Sequence, residues 1–85
     1  MSRMNERIRG VIEEHGRLPV AMADVDDDAD LYQAGLTSHA SVNVMLALED
    51  EFDVEFPERM LKKSTFASVA AIHDALRELL GGPER

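Results

Sequence analysis

The sequence predicts an all-α chain: a small four-helix bundle of three main helices and one short helix, with a long loop between the first two. Three observations carry this. Apolar positions recur at the helical spacing of i, i+3/i+4 and i+7 in three separate stretches. The apolar residues are mostly Ala, Leu, Val, Ile and Met, while aromatics make up only 5% of the chain, a mix that suits helices better than a sheet. The 85 residues suffice for one domain, 1–85, and not for two. So small a core leaves little room for a deep substrate cavity.

Met4, Ile8, Val11 and Ile12 hold the helical period. Ser2 or Asn5 can cap the start of this helix, and Gly16 followed by Pro19 ends it, giving a helix from about Arg3 to His15. Residues 17–37 show no helical period over most of their length. Connections that long in a small domain are functional or hold small elements, and Val20, Met22, Val25, Leu31, Tyr32 and Leu36 are apolar enough to pin this one to a core. The strongest helix is Ser38–Phe52, and it carries two apolar stripes. Val44, Met45, Leu48 and Phe52 fall within one arc of roughly 100° and form the core face. His39, Val42 and Leu46 share a second arc with Glu49 and Asp50 at its edges. An acid-rimmed apolar stripe of this kind is either a partner surface or a strip covered by loop residues. Val54, Phe56 and Pro57 read as an extended connector and residues 58–63 as one or two helical turns. Thr65 can cap a last helix with Val69, Ile72, Leu76, Leu79 and Leu80 in period, and Gly81-Gly82-Pro83 stops it.

Charge narrows the function classes. Seventeen acidic against nine basic residues give a net charge of −8, and the imbalance is local: residues 24–58 hold eleven acids and no Lys or Arg. Such a block repels phosphate backbones and disfavours nucleic-acid binding. It favours partners with basic patches, unless it serves solubility alone. The absence of cysteine removes disulfides, a thiolate nucleophile and Cys-based metal sites. No apolar run approaches the roughly 20 residues of a membrane span, and Met1 to Glu6 lack the apolar stretch of a secretory signal, so a cytoplasmic protein that binds no membrane is expected.

Candidates for catalysis are few. Ser38 and His39 are adjacent on a helix start, point in different directions and cannot form a nucleophile–base pair. His15, His39 and His73 lie on separate segments without metal-ligand spacing. The run Asp24-Val25-Asp26-Asp27-Asp28-Ala29-Asp30 suggests calcium, but a twelve-residue loop starting at Asp24 puts Ala29 at the sixth position and Gly35 at the twelfth, where Gly and Glu are needed. No metal site is assigned and no intrinsic activity is expected. Ser38 follows a Gly-Leu-Thr turn and opens the two-stripe helix; on position alone it reads as an ordinary N-cap.

The ordered combination of residues changes that reading. Asp30-Leu31, Gly35, Ser38, the apolar run from Val42 to Leu48, Glu49-Asp50-Glu51-Phe52, Val54-Glu55-Phe56-Pro57 and Thr65-Phe66-Ala67-Ser68-Val69 resemble the acyl carrier and peptidyl (aminoacyl) carrier protein family. The resemblance covers about half of the chain directly. It implies that Ser38 carries 4′-phosphopantetheine in phosphodiester linkage, attached by a phosphopantetheinyl transferase, and that Thr37, His39, Val42, Asn43, Leu46, Glu49 and Asp50 meet partner enzymes. The arm would supply the thiol that this Cys-free chain lacks. Family members commonly have Asp-Ser-Leu where this chain has Thr37-Ser38-His39, and fatty-acid carriers commonly have Glu where it has Asn43. These departures fall on partner-facing positions, which favours an aminoacyl or specialised acyl cargo, loaded by an ATP-dependent ligase onto a monomeric carrier and passed to a downstream acceptor enzyme. An ordinary fatty-acid or polyketide carrier is the alternative within the family. From other classes, an unmodified acidic adaptor of the same fold would leave Ser38 a mere cap, and a small Ser-dependent hydrolase lacks a positioned base and an oxyanion site.

Overall fold

Helix α1 spans Arg3–His15, α2 spans Ser38–Phe52 and α3 spans Val69–Leu79 in the computed structural model, which describes residues 3–81. Between them lie three 3-10 turns, Met22–Asp24 in the long first loop and Glu58–Met60 and Lys63–Phe66 between α2 and α3. The short fourth helix expected over 58–63 is therefore a pair of 3-10 turns, consistent with a segment of only one or two turns. Helix α1 packs against both α2 and α3. It does so through Ile8, Val11 and Ile12, which are buried as their spacing predicts. Val44 and Leu48 of α2 and Val69, Ile72 and Leu76 of α3 close the core from the other sides. Phe56 and Phe66 fill the end of the bundle in a T-shaped pair with ring centroids 5.2 Å apart. No helix among the described residues is long and apolar enough to cross a membrane.

The long loop is tied down at both sides. Met22, Val25, Leu31 and Leu36 are buried, whereas Val20 is exposed and pins nothing. Arg9 of α1 donates to the carbonyls of Met22 and Val25 at 2.9 and 2.6 Å and meets the Asp27 carboxylate at 2.7 Å. On the far side Leu31 N–H donates to Ala67 O at 2.7 Å, and Ala70 N–H donates to Asp27 O at 2.8 Å. Gly35 closes the loop against Pro19. Its φ is +121°, and a Cβ there would stand 2.5 Å from the Pro19 Cδ, so both conformation and space demand glycine.

Three end signals fall differently from the sequence reading. Asn5 lies inside α1 and donates to Asp27 Oδ2 at 3.2 Å, so it does not cap the helix; Ser2, the other candidate, lies outside the described residues. Ser68, not Thr65, caps α3, its hydroxyl accepting from Ala71 N–H at 3.0 Å. Thr65 is instead buried in the preceding 3-10 turn. Helix α3 ends at Leu79, which leaves Leu80 past the end and half exposed. Gly81 has a φ of 114°, and the Gly82-Pro83 stop lies outside the described residues.

Candidate functional site

Helix α2 opens on two hydroxyls with separate partners. Thr37 is the N-cap: it is extended (φ −88°, ψ 163°) and its Oγ1 accepts from Ala40 N–H at 3.0 Å. Ser38 is the first helical residue and is exposed. Its carbonyl accepts from the Ser41 hydroxyl at 2.7 Å, but its own Oγ makes no hydrogen bond to a described residue. The cap that position alone suggested for Ser38 therefore belongs to Thr37.

The remaining residues singled out from the sequence fall into distinct settings. His39, Val42, Asn43, Leu46 and Asp50 are exposed on α2, with Val42 and Leu46 at 50% and 53%, far above what core positions show. Loop residues do not cover the stripe. Thr37 is exposed too, but its hydroxyl is spent on the cap. Glu49 turns inward: half-buried, it accepts the Phe56 N–H on Oε2 at 2.9 Å and so fastens the connector after α2 to the helix. The sequence placed it at the edge of the partner stripe because helical spacing says nothing of a side chain reaching along its own C-terminal turn.

Val42 and Leu46 of the stripe line two separate grooves. Asn43, Leu46 and Asp50 face Glu14, His15 and Arg17 at the end of α1. Ser38, Ser41, Val42 and Met45 form one wall of the other, a groove of about 300 Å³. Its opposite wall is Tyr32 from the loop and Leu61, Lys62, Lys63 and Phe66 from the segment before α3. Leu61 is 49% exposed there, and the Lys63 Nζ sits 4.7 Å from the centre of the Tyr32 ring. Met45, placed on the core face by its spacing, is only half-buried and spans from core to groove. The sequence reading missed the far wall altogether. Its one visible signal was Lys62-Lys63, a basic pair shortly after the base-free stretch.

Two acids of the loop's run, Asp27 and Asp30, are tied into the structure, while Asp24, Asp26 and Asp28 are exposed. Asp27 holds Arg9 and Asn5, and Asp30 Oδ1 accepts from Tyr32 N–H at 2.9 Å. Among the described residues no three His, Cys, Asp or Glu gather as a metal ion would require. No hydrogen bond joins His39 to Ser38 among them either, so the pair forms no nucleophile and base.

An exposed serine whose hydroxyl meets no described residue, set at a helix start beside an apolar groove, is open to a group that approaches from solvent. The family described as "Phosphopantetheine attachment site" matches residues 6–76. The chain is 46% identical over 81 residues to an aminoacyl carrier protein of Agrobacterium fabrum, covering 95% of this chain and 98% of that one. Among solved structures it is similar to a carrier protein from Agrobacterium tumefaciens, seen in complex with an engineered Bradyrhizobium japonicum glycine:[carrier protein] ligase and ATP. There the TM-score is 0.87 at 45% identity, over 89% of this chain and 99% of the other. A glycylated carrier protein bound to the Bradyrhizobium japonicum ligase matches with a TM-score of 0.75 at 34% identity, over 87% and 99% of the two chains.

Proposed function

Because the chain belongs to the phosphopantetheine attachment-site family and is a homologue of aminoacyl carrier proteins, we propose that Ser38 bears the arm and that the cargo is an amino acid, with glycine the first candidate. The observation that carries the assignment of Ser38 is its uncommitted hydroxyl. Thr37 holds the first turn of α2, so Ser38 has no structural duty at its oxygen. The residues fit the group. The start of α2 presents first-turn amides and the positive end of the helix dipole, which suit a phosphodiester. Once attached, the arm supplies a thiol on which the cargo is held as a thioester.

The chain's own part is to present this arm and to be recognised. His39, Val42 and Leu46, with Asn43 and Asp50, form the surface that a phosphopantetheinyl transferase, an ATP-dependent amino-acid ligase and a downstream acceptor enzyme meet in turn. The chain acts as a single cytoplasmic domain, a monomer, and does no chemistry itself. The glycine cargo draws on the relatives found with a glycine:[carrier protein] ligase and on Thr37, His39 and Asn43, which stand where fatty-acid carriers bear other residues. The test is intact mass of the holo protein after incubation with ATP, single amino acids and such a ligase, beside a parallel reaction with malonyl transferase and ketosynthase. Gain of one glycyl group, lost on thioester cleavage, is expected. Efficient malonyl loading and elongation with no amino acid accepted would overturn the cargo and leave the carrier.

A further inference from the structure

The groove beside Ser38 joins two kinds of chemistry. Its apolar lining is Val42 and Met45 on the α2 wall and Leu61 and Phe66 on the opposite wall, which also carries Lys62 and Lys63. These lysines are exposed, and neither makes an ion pair to a described residue. Arg7, Arg9 and Arg59 are paired, with Glu51, Asp27 and Glu78; among the described cations without an ion pair, Lys62 and Lys63 are the ones that line the groove of Ser38. Two positive charges without a carboxylate partner thus share a groove with Ser38, in a chain of net charge −8.

We propose that Lys62 and Lys63 hold the phosphodiester of the Ser38-linked arm, so that the pantetheine chain lies docked along Val42, Met45 and Leu61 instead of moving free in solvent. The inference rests on Ser38 carrying the arm. Charge complementarity selects the occupant. The groove begins at Ser38, so the phosphodiester is the one anion fixed within it, and the acid-rich body of the chain repels other anions. Lys63 is steadied for this role by the Tyr32 ring, whose face holds the ammonium at 4.7 Å from the ring centre. The gem-dimethyl portion of the arm follows the phosphate directly and finds the exposed Val42 and Leu61, at 50% and 49%, on either side. Electrostatic docking is weak enough at an exposed rim to be reversible. A partner that offers its own cation to the phosphodiester then draws the arm out of the groove.

The experiment compares holo wild type, holo K62Q/K63Q and holo K62R/K63R, each first confirmed by intact mass. Both substituted pairs sit at exposed positions, so the fold is not at stake. Proton NMR reads cross-peaks between the gem-dimethyl groups of the arm and the Met45 methyl and Phe66 ring. Wild type should show them in low salt, K62R/K63R should keep them, and K62Q/K63Q should lose about threefold or more of their intensity, the scale two exposed charge pairs carry. Raising wild type to ~1 M salt, where the screening length falls to roughly 3 Å, should copy the glutamine variant. Absent cross-peaks in wild type, or equal ones in K62Q/K63Q, overturn the inference while the mass gain on Ser38 stands. No mass gain in any of the three proteins is a different failure, of the attachment itself, and takes the inference with it.

Discussion

Thr37 and Ser38 carry the same functional group one residue apart and touch different things. The Thr37 hydroxyl accepts from Ala40 N–H, while that of Ser38 meets no described residue. Their alanine variants should therefore part company. Thr37→Ala removes an N-cap and should cost about 0.5–2 kcal/mol, read as a lower urea midpoint, with the mass gain on modification retained. Ser38→Ala should leave stability within about 0.5 kcal/mol of wild type, as a surface change without partners does, and abolish modification completely. A Ser38→Ala protein that still acquires the arm would sink the attachment assignment; one that is markedly destabilised would return Ser38 to a structural role. From the residues alone either hydroxyl could have been the cap, because Ser and Thr are both favoured there and helix starts are legible only to within a residue or two. The same ambiguity moved the cap of α3 from Thr65 to Ser68.

Helix α2 shows at the scale of an element why a two-stripe pattern is informative. Leu48 is fully buried, and Val42 stands half exposed on the other side. Leu48→Ala should cost about 2–5 kcal/mol as a buried large-to-small change. Val42→Asp should hold its melting temperature within a few degrees yet weaken cargo transfer from a ligase, since it puts a new charge on the proposed partner surface. Thermal melts beside a loading assay separate the two; an unfolded Val42→Asp would place the stripe in the core. The three helices were legible because their apolar spacing is dictated by one face meeting one core. The grooves beside α2 were not, because each is assembled from segments far apart in sequence. Tyr32, Leu61 and Phe66 come to Ser38 only after the long loop and the 3-10 turns have folded, and no local period encodes that meeting. The structural tie of Glu49 was not legible for a related reason: its bond to Phe56 N–H depends on the path of the connector. The resemblance to carrier proteins is what proposes Ser38 for attachment, where periodicity alone left it as a cap.

The molecule as a whole depends on how its longest loop is fastened, since that loop sets where Gly35 turns and hence where α2 begins. Arg9 is the main fastening on the α1 side. It binds the carbonyls of Met22 and Val25 and the Asp27 carboxylate, with its side chain only 27% exposed. From Asp27 and Leu31 two backbone bonds then run to Ala70 in α3 and to Ala67 just before it, so one arginine helps link α1 to α3 through the loop. Removing it leaves the Val25 carbonyl without its donor, while the Met22 carbonyl keeps the Val25 N–H at 3.0 Å, and an unmet group of that kind costs about 1–3 kcal/mol when fully buried. Arg9→Ala should therefore lose about 2 kcal/mol overall, which for a domain of this size lowers the melting temperature on the order of 10 °C. Asp27→Asn keeps an acceptor for the guanidinium and gives up only a half-exposed charge pair, worth at most about 1 kcal/mol, so it should melt only a few degrees below wild type. The damage in Arg9→Ala should also be local. Amide hydrogen exchange should quicken at Val25 and Leu31 more than at Ile8 or Ile72, because the loop opens before the core does. Equal melting of the two variants would assign the fastening to the charge pair, and uniform exchange across the chain would show that Arg9 serves global stability without holding the loop.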